Sequence, residues 1–234
     1  MHVALRDDLQ EEAAKILREA WTDRDGEVVP EPSDLHLGND AVSLEATVLY
    51  ADMAGSTKLV DEQSPKLAAE VYKSYMACAA RIIKDEDGSI TAYDGDRVMG
   101  IFIGNVKNTT AARTAMKIHW AVRNIVNPAL RKQYGNGAYQ MGHVIGIDTS
   151  RILACRIGVR NDNDLVWVGR AANFAAKLSS LDSGYPIYIT GEVFDRLKHT
   201  SKYGGDPRRL MWEERSWTAM NAMRIYRSNW TWSI

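Results

Sequence analysis

The sequence predicts an α+β domain in which helices cover a mainly antiparallel sheet. Three observations carry this: an apolar, strand-like run from residue 44 followed by a strong amphipathic helix, a tight hairpin over 89–104, and a second long helix leading into further strands. Strand, helix, hairpin, helix, strand is the order expected of such a domain. The 234 residues suffice for one large domain or for a domain with an attached arm.

The elements follow in order. Residues 7–21 place Leu9, Ala13, Ile16 or Leu17, and Ala20 at helical spacing. The next stretch is rich in Pro, Gly and Asp and reads as a linker to about residue 42. The expected division is thus an N-terminal helix and linker, 1–43, and a principal domain, 44–234. "LEATVLYADMAGSTK" (44–58) starts as an apolar strand and ends in a carboxylate, Asp52, and a small loose turn, Ala54-Gly55-Ser56-Thr57. In 64–88, Leu67, Val71, Tyr75, Cys78 and Ile82 share one helix face, with Ser64 as cap and Gly88 as stop. "SITAYDGDRVMGIFIG" is a hairpin whose two-residue turn, Asp94-Gly95, leaves Asp96 directly after it. A long helix is expected near 108–133, then strands at 139–148 and 150–159, a turn cluster at 160–164, and a short strand at 165–169. A helix at 170–181, a strand at 185–190 and a helix near 191–198 lead to a tail holding four of the seven tryptophans.

Composition excludes several classes. Apolar residues make up 45% and charged residues 25%, an ordinary globular mixture. The formal net charge of −1 provides no global basic field for nucleic acid or an acidic membrane, so a polyphosphate ligand would be held by local cations or metal ions. Cys78 and Cys155 are too few for a disulfide framework or a zinc site. The N-terminal "MHVALRDDLQEEAAK" is too charged for a signal peptide and no apolar run has membrane-spanning length, so a cytoplasmic protein is expected.

Asp52 and Asp96 share a position: each ends a strand or turn, where side chains project from a sheet rim. With the hairpin beside the first strand, both reach one point in space. Two carboxylates at one point repel unless cations sit between them. A pair of Mg²⁺ ions resolves the repulsion and leaves coordination sites for triphosphate oxygens. Either aspartate alone reads as a turn residue; together, beside a flexible loop, they read as a metal site. The loop lacks both G-x-x-x-x-G-K-[ST] and G-x-G-x-x-G. Met53, Ala54, Gly55, Ser56 and Thr57 nevertheless offer backbone N–H groups to phosphate oxygens ahead of a helix.

"VLYADMAGST", "YDGDRVMGIF" and "VGRAANFAAKL" resemble, in order and spacing, three signature segments of the class III nucleotidyl cyclases, the catalytic domains of adenylate and guanylate cyclases. The resemblance covers roughly residues 44–198. It implies the class III cyclase fold with a ferredoxin-like βαββαβ core, and phosphorus–oxygen lyase activity in residues 44–234. It implies two metal ions per site, Mg²⁺ or Mn²⁺, held by Asp52 and Asp96 with Met53 as a further metal contact. Arg160 resembles the hairpin arginine that contacts the triphosphate. Asn173 resembles the asparagine that orients the ribose. Lys177, on the same helix face at i+4, stands where the family has a transition-state arginine. Lysine keeps the charge and loses the planar fork. The family's second triphosphate contact, a lysine before a glycine near the C-terminus, has no match in "MWEERSWTAMNAMRIYRSNW". Family members dimerise head to tail, which implies a homodimer with two shared active sites: Asp52, Asp96 and Arg160 of one subunit face the partner's Asn173 and the partner's Lys177.

Purine cyclases of the family read their base with a Lys and an Asp, or with a Glu and a Cys. The matching positions here are Ala92 and Val166, or Leu165 if the count starts at Arg160; all are aliphatic. Aliphatic walls discriminate weakly between bases, since strong selection needs buried hydrogen-bonding groups. Two polar readers stand beside the metal residues: Tyr50, where Phe is common, and Arg97, which reads equally as a surface charge on the hairpin. A smaller slot with donors suits a pyrimidine, and uracil better than cytosine, whose amino group needs an acceptor. The chain is similar to the compact pyrimidine cyclases of bacterial Pycsar antiphage defence, which make cyclic UMP or cyclic CMP for a partner effector. The expectation is an enzyme converting UTP to 3′,5′-cyclic UMP and pyrophosphate, its product read by a separate cyclic-nucleotide effector. The alternatives are a cytidylate or purine cyclase, or a degenerate nucleotide-binding dimerisation module. His119 and His143 read as satisfied core histidines, Cys155 as a small buried strand residue, and most tail tryptophans as core.

Overall fold

In the computed structural model, which describes residues 2–159, 161–181 and 184–234, two long strands pair along most of their length and organise the rest. The chain runs through α1 (His2–Arg18), β1 (Thr22–Asp25), β2 (Asp40–Ala54), α2 (Ser56–Glu62), α3 (Pro65–Asp85), β3 (Ser89–Asp94), β4 (Arg97–Phe102), α4 (Lys107–Ala121), α5 (Asn127–Tyr134) and β5 (Gly142–Val159). It continues through β6 (Asp162–Val168), α6 (Arg170–Ser179), β7 (Ile187–Thr190), α7 (Gly191–Asp195), α8 (His199–Lys202), β8 (Tyr203–Gly204), β9 (Arg209–Leu210), β10 (Glu213–Trp217) and β11 (Met223–Ser228). The main sheet has the order β10-β11-β7-β5-β2-β4-β3, with β1 beside β2 and β6 beside β5. Its pairings are antiparallel except β1 with β2 and β5 with β7. The segment β2-α3-β3-β4-α4-β5, ordered β5-β2-β4-β3 across the sheet, is the expected βαββαβ core.

Alternation along β2 divides the core. Leu49, Ala51 and Met53 enter the layer under α3 and α4 with Val71, Tyr75 and Ile83. Val42, Leu44, Ala46 and Val48 enter the opposite layer, under α6 and Trp167. Small side chains on α6, Ala171, Ala172 and Ala175, bring that helix close to β5. A Cβ built at Gly146 would fall on the Ala175 carbonyl oxygen and sit 2.5 Å from the Ser179 nitrogen. Gly146→Ala is therefore expected to lift α6 from the sheet and destabilise the fold by about 1–3 kcal/mol, the range for forced overpacking. A urea midpoint unchanged from wild type would contradict this.

Four local expectations are corrected. The stretch expected to be a linker contains β1, which pairs in parallel with β2 from Thr22 opposite Asp40 to Asp25 opposite Ser43. All four β1 residues are polar and exposed, so no apolar alternation announced the strand. The strands expected at 139–148 and 150–159 are one, β5, because Asp148-Thr149-Ser150 is a buried polar junction rather than a turn. Thr190 donates to Asp148 at 2.6 Å, Thr149 donates to the Ala46 carbonyl at 3.1 Å, and Ser150 accepts from the Ala171 N–H at 2.9 Å. The helix expected over 108–133 is interrupted by a π-turn at Val122–Val126, just ahead of Pro128, whose missing N–H cannot continue the α ladder. The helix expected near 191–198 is two short pieces, α7 and α8.

Candidate active site

The hairpin turn lies beside the end of β2. Asp52 stands opposite Arg97 and Ala51 opposite Val98, and the Met53 N–H donates to the Asp96 carbonyl at 3.2 Å. Both aspartates are half-buried. Their charges interact: the Asp52 carboxyl is pushed up to about 6, first by burial and then by the charge of Asp96, with Arg97 opposing. Arg97 directs its own hydrogen bonds to Asp94, at 3.1 Å from Nε and 2.6 Å from Nη2. The acid pair is thus only partly compensated by protein. Hard carboxylate oxygens whose charges oppose one another in this way fit a divalent cation such as Mg²⁺ or Mn²⁺. The Met53 side chain is buried in the helix-covered core, so only its main chain reaches this rim.

Immediately beyond, Gly55 adopts a left-handed φ of +73° and α2 begins. The turn leaves the first amides of α2, from Ser56 and Thr57, without partners inside the helix. Ala54 packs inward against the Leu178 layer.

On the same face of β2, two residues before Asp52, lies Tyr50. The Arg97 guanidinium stands 5.6 Å from its ring centroid, and burial raises the phenol while Arg97 opposes. Ala92 and Leu165 pack against the same apolar layer as Tyr50. Alternation along β6 turns Val166 to the opposite face, paired with Cys155. The tyrosine and the two aliphatic residues therefore share a layer that Val166 does not.

α6 separates its two faces cleanly. Ala171, Ala172, Ala175 and Leu178 are buried, whereas Asn173 and Lys177 are exposed one turn apart. They project away from the sheet and are not brought to Asp52 and Asp96 of the same chain. Arg170 locks the start of the helix: it donates to Asp148 at 3.1 Å and to the Thr149 carbonyl at 2.6 Å, and pairs with Glu192. Burial pushes the Asp148 carboxyl up, with Thr190 and Arg170 opposing. Gly146, Asp148 and Arg170, which aim α6, were absent from the sequence-based site. Their signal was a polar trio inside an apolar strand, followed by an arginine opening a helix. Arg160 lies outside the described residues.

His119 and His143 are core residues but not satisfied ones. His119 Nδ1 and His143 Nε2 are buried without a hydrogen-bond partner among the described residues. Burial takes the two imidazoles down to about 4 and about 3, so both are neutral near pH 7. Cys155 is buried, as expected; Trp212 and Trp217 are buried and Trp230 and Trp232 pack on the core. Among the described residues, no helix is long and apolar enough to cross a membrane.

The adenylate and guanylate cyclase catalytic domain family matches residues 41–212. A uridylate cyclase of Xanthomonas perforans is 48% identical over 233 residues, which cover 99% of this chain and 100% of the relative. A uridylate cyclase of Burkholderia cepacia is 46% identical over 234 residues, with the same coverage of 99% and 100%. Among solved structures, the adenylyl cyclase CyaB from P. aeruginosa superposes with a TM-score of 0.69 at 20% identity, covering 80% of this chain and 95% of that one. This last likeness speaks for the fold, and the architecture expected from the three motifs is borne out.

Proposed function

The chain belongs to the adenylate and guanylate cyclase catalytic domain family, and on that premise we propose that it is a uridylate cyclase, converting UTP to 3′,5′-cyclic UMP and pyrophosphate. The observation that carries the proposal is the pair of mutually repelling acids, Asp52 and Asp96, at the rim where β2 meets the β3–β4 turn, beside a base layer lined by Tyr50 and aliphatic residues. In the reaction the ribose 3′-oxygen bonds to the α-phosphorus in line, the bond to pyrophosphate breaks, and the hydroxyl proton leaves. Two divalent cations, Mg²⁺ or Mn²⁺, held by Asp52, Asp96 and the Met53 main chain, would acidify the 3′-hydroxyl and neutralise the triphosphate. The amides of Ala54 to Thr57 donate to phosphate oxygens. Asn173 orients the ribose, while Lys177 and Arg160 meet the charge that develops on the phosphoryl oxygens.

Asn173 and Lys177 lie on the exposed face of α6, so the two halves of the site come from two copies in a homodimer with two shared sites. Ile157, Val159 and Val168, exposed on β5 and β6, supply apolar surface for such an interface. Residues 44–234 form the catalytic unit, with β1 and the start of β2 joining its sheet from the segment before residue 44. The product acts as a cytoplasmic second messenger in antiphage defence, read by a separate effector.

Uracil presents two carbonyls, and Arg97 offers several donors next to a Tyr50 ring that narrows the slot. Ala92 with Leu165 supplies the aliphatic walls. Incubation with each of the four NTPs and Mn²⁺ is expected to give cyclic UMP as the main product; cyclic AMP as the main product overturns the base assignment. Arg97→Met is expected to lower kcat/KM for UTP by about 10- to 100-fold, the scale of an unpaired buried base, with a smaller change for ATP. Equal losses for both nucleotides would assign Arg97 to the fold instead.

A further inference from the structure

The segment between β1 and β2 forms a strap across the layer assigned to the base. Leu35 is buried in that layer, Val29 packs on it, Pro30 is buried, and Arg156 donates to the Leu35 carbonyl at 3.0 Å. Between strap and sheet lies a cavity of about 170 Å³, lined by Val29, Pro30 and Pro32 from the strap and by Thr91, Leu165 and Trp167 from β3 and β6. An apolar cavity of about 150 Å³ accepts one benzene ring, so this space has the capacity of a single six-membered ring. Among the described residues its lining includes two exposed acids, Glu31 and Asp164, and no cation, which suits a neutral ring rather than a phosphate.

Both polar residues of that wall carry an unpaired atom. Trp167 Nε1 and Thr91 Oγ1 are buried and have no hydrogen-bond partner among the described residues. Alternation along β6 puts Trp167 on the face of Leu165, where it is only 8% exposed. The β3–β4 register slips between Ile90 and Ala92, so Thr91 is the extra residue of a bulge, a device that re-aims side chains beside active sites. A buried donor left unpaired is destabilising, and valine would fill the Thr91 site without that penalty. The strap shuts both atoms off from bulk water and brings neither of them a partner. The cavity that both residues line is the space from which a partner can come.

We propose that Thr91 and Trp167 are specificity-determining residues: the pyrimidine ring of the nucleotide lies beneath the strap, where the indole N–H and the threonine hydroxyl bond its polar edge. An indole N–H only donates, whereas a hydroxyl donates and accepts. Uracil, with two carbonyls flanking one N–H, uses both kinds of group. A purine adds a second fused ring, which exceeds the space. The inference rests on reading the layer of Tyr50, Ala92 and Leu165 as the base site.

The test uses the full-length chain and two single variants, Thr91→Val and Trp167→Phe, titrated in the presence of Mn²⁺. The probes are a non-cyclisable UTP analogue and inorganic tripolyphosphate, which carries the triphosphate without a base; the matching ATP analogue is titrated on wild type. Thr91→Val is expected to melt at or above the wild-type temperature. It is expected to bind the UTP analogue about tenfold more weakly, the scale of one hydrogen-bonding group left unpaired, with its tripolyphosphate affinity unchanged. Trp167→Phe is expected to show the same split between probes and serves as the test if Thr91→Val does not fold. If wild type prefers the UTP analogue to the ATP analogue and folded variants bind the UTP analogue as wild type does, this inference alone is overturned and the cavity holds only water. Equal weakening toward both probes also overturns it, by assigning the two residues to the fold. Wild-type preference for the ATP analogue overturns the base assignment itself.

Discussion

Asp52→Asn is expected to reduce cyclase turnover by about a thousandfold, the scale of removing a principal electrostatic element of an active site, while leaving a metal-free protein more stable than wild type. The two effects have one cause. Asp52 is held where its charged form is disfavoured, with its carboxyl raised from 3.8 to about 6 by burial and by Asp96. A folded-state value above the unfolded one means that the native protein binds the proton more tightly. Stability from this group is therefore present below pH 3.8 and is lost as pH rises through about 6. Because the carboxyl is partly exposed, screening limits the loss of stability at pH 7 to about 1 kcal/mol. Asparagine keeps the shape and carries no charge. Melting curves of both proteins in chelator should converge below pH 4, separate between pH 4 and 6, and stay apart above that, with the variant higher. Added Mn²⁺ should raise the wild-type melting temperature and leave the variant's unchanged. A variant that cyclises UTP at the wild-type rate would remove Asp52 from the mechanism.

Lys177→Ala is expected to lose about a hundredfold in turnover, since a cation aimed at developing phosphoryl charge is removed. Its value lies in combination with the first variant. If each site takes its carboxylates from one copy and its asparagine and lysine from the other, the two inactive proteins complement. After unfolding together and refolding as a one-to-one mixture, half the dimers are mixed and each holds one intact site, so turnover should recover to roughly a quarter of wild type. The exposed placement of Asn173 and Lys177, on the far side of a helix whose other face is buried against β5 and β2, is what makes this outcome expected. A mixture as inactive as its parts would mean that no site is shared between chains. Lys177→Arg should retain activity or exceed wild type, because the planar fork adds a second hydrogen bond to the same charge.

Much of this protein could be read from local spacing. The α3 face of Val71, Tyr75 and Ile82, the hairpin with its Asp94-Gly95 turn, and the i, i+4 pairing of Asn173 with Lys177 all depend on residues within one or two turns of each other. The convergence of Asp52 and Asp96 followed from an apolar strand and a tight turn in sequence order, and the β2–β4 register brings their backbones together. The junction Asp148-Thr149-Ser150 has turn composition, yet it is continuous strand. Its polar groups are matched by Thr190, by Ala46 and by the α6 amide, which lie far away along the chain. The same limit applies to Tyr75, His119 and His143, whose spacing marks them as core but says nothing about hydrogen-bond partners. Periodicity records which side of an element is buried, because burial repeats with the helix or strand; whether a buried polar atom is paired depends on what the tertiary fold sets against it.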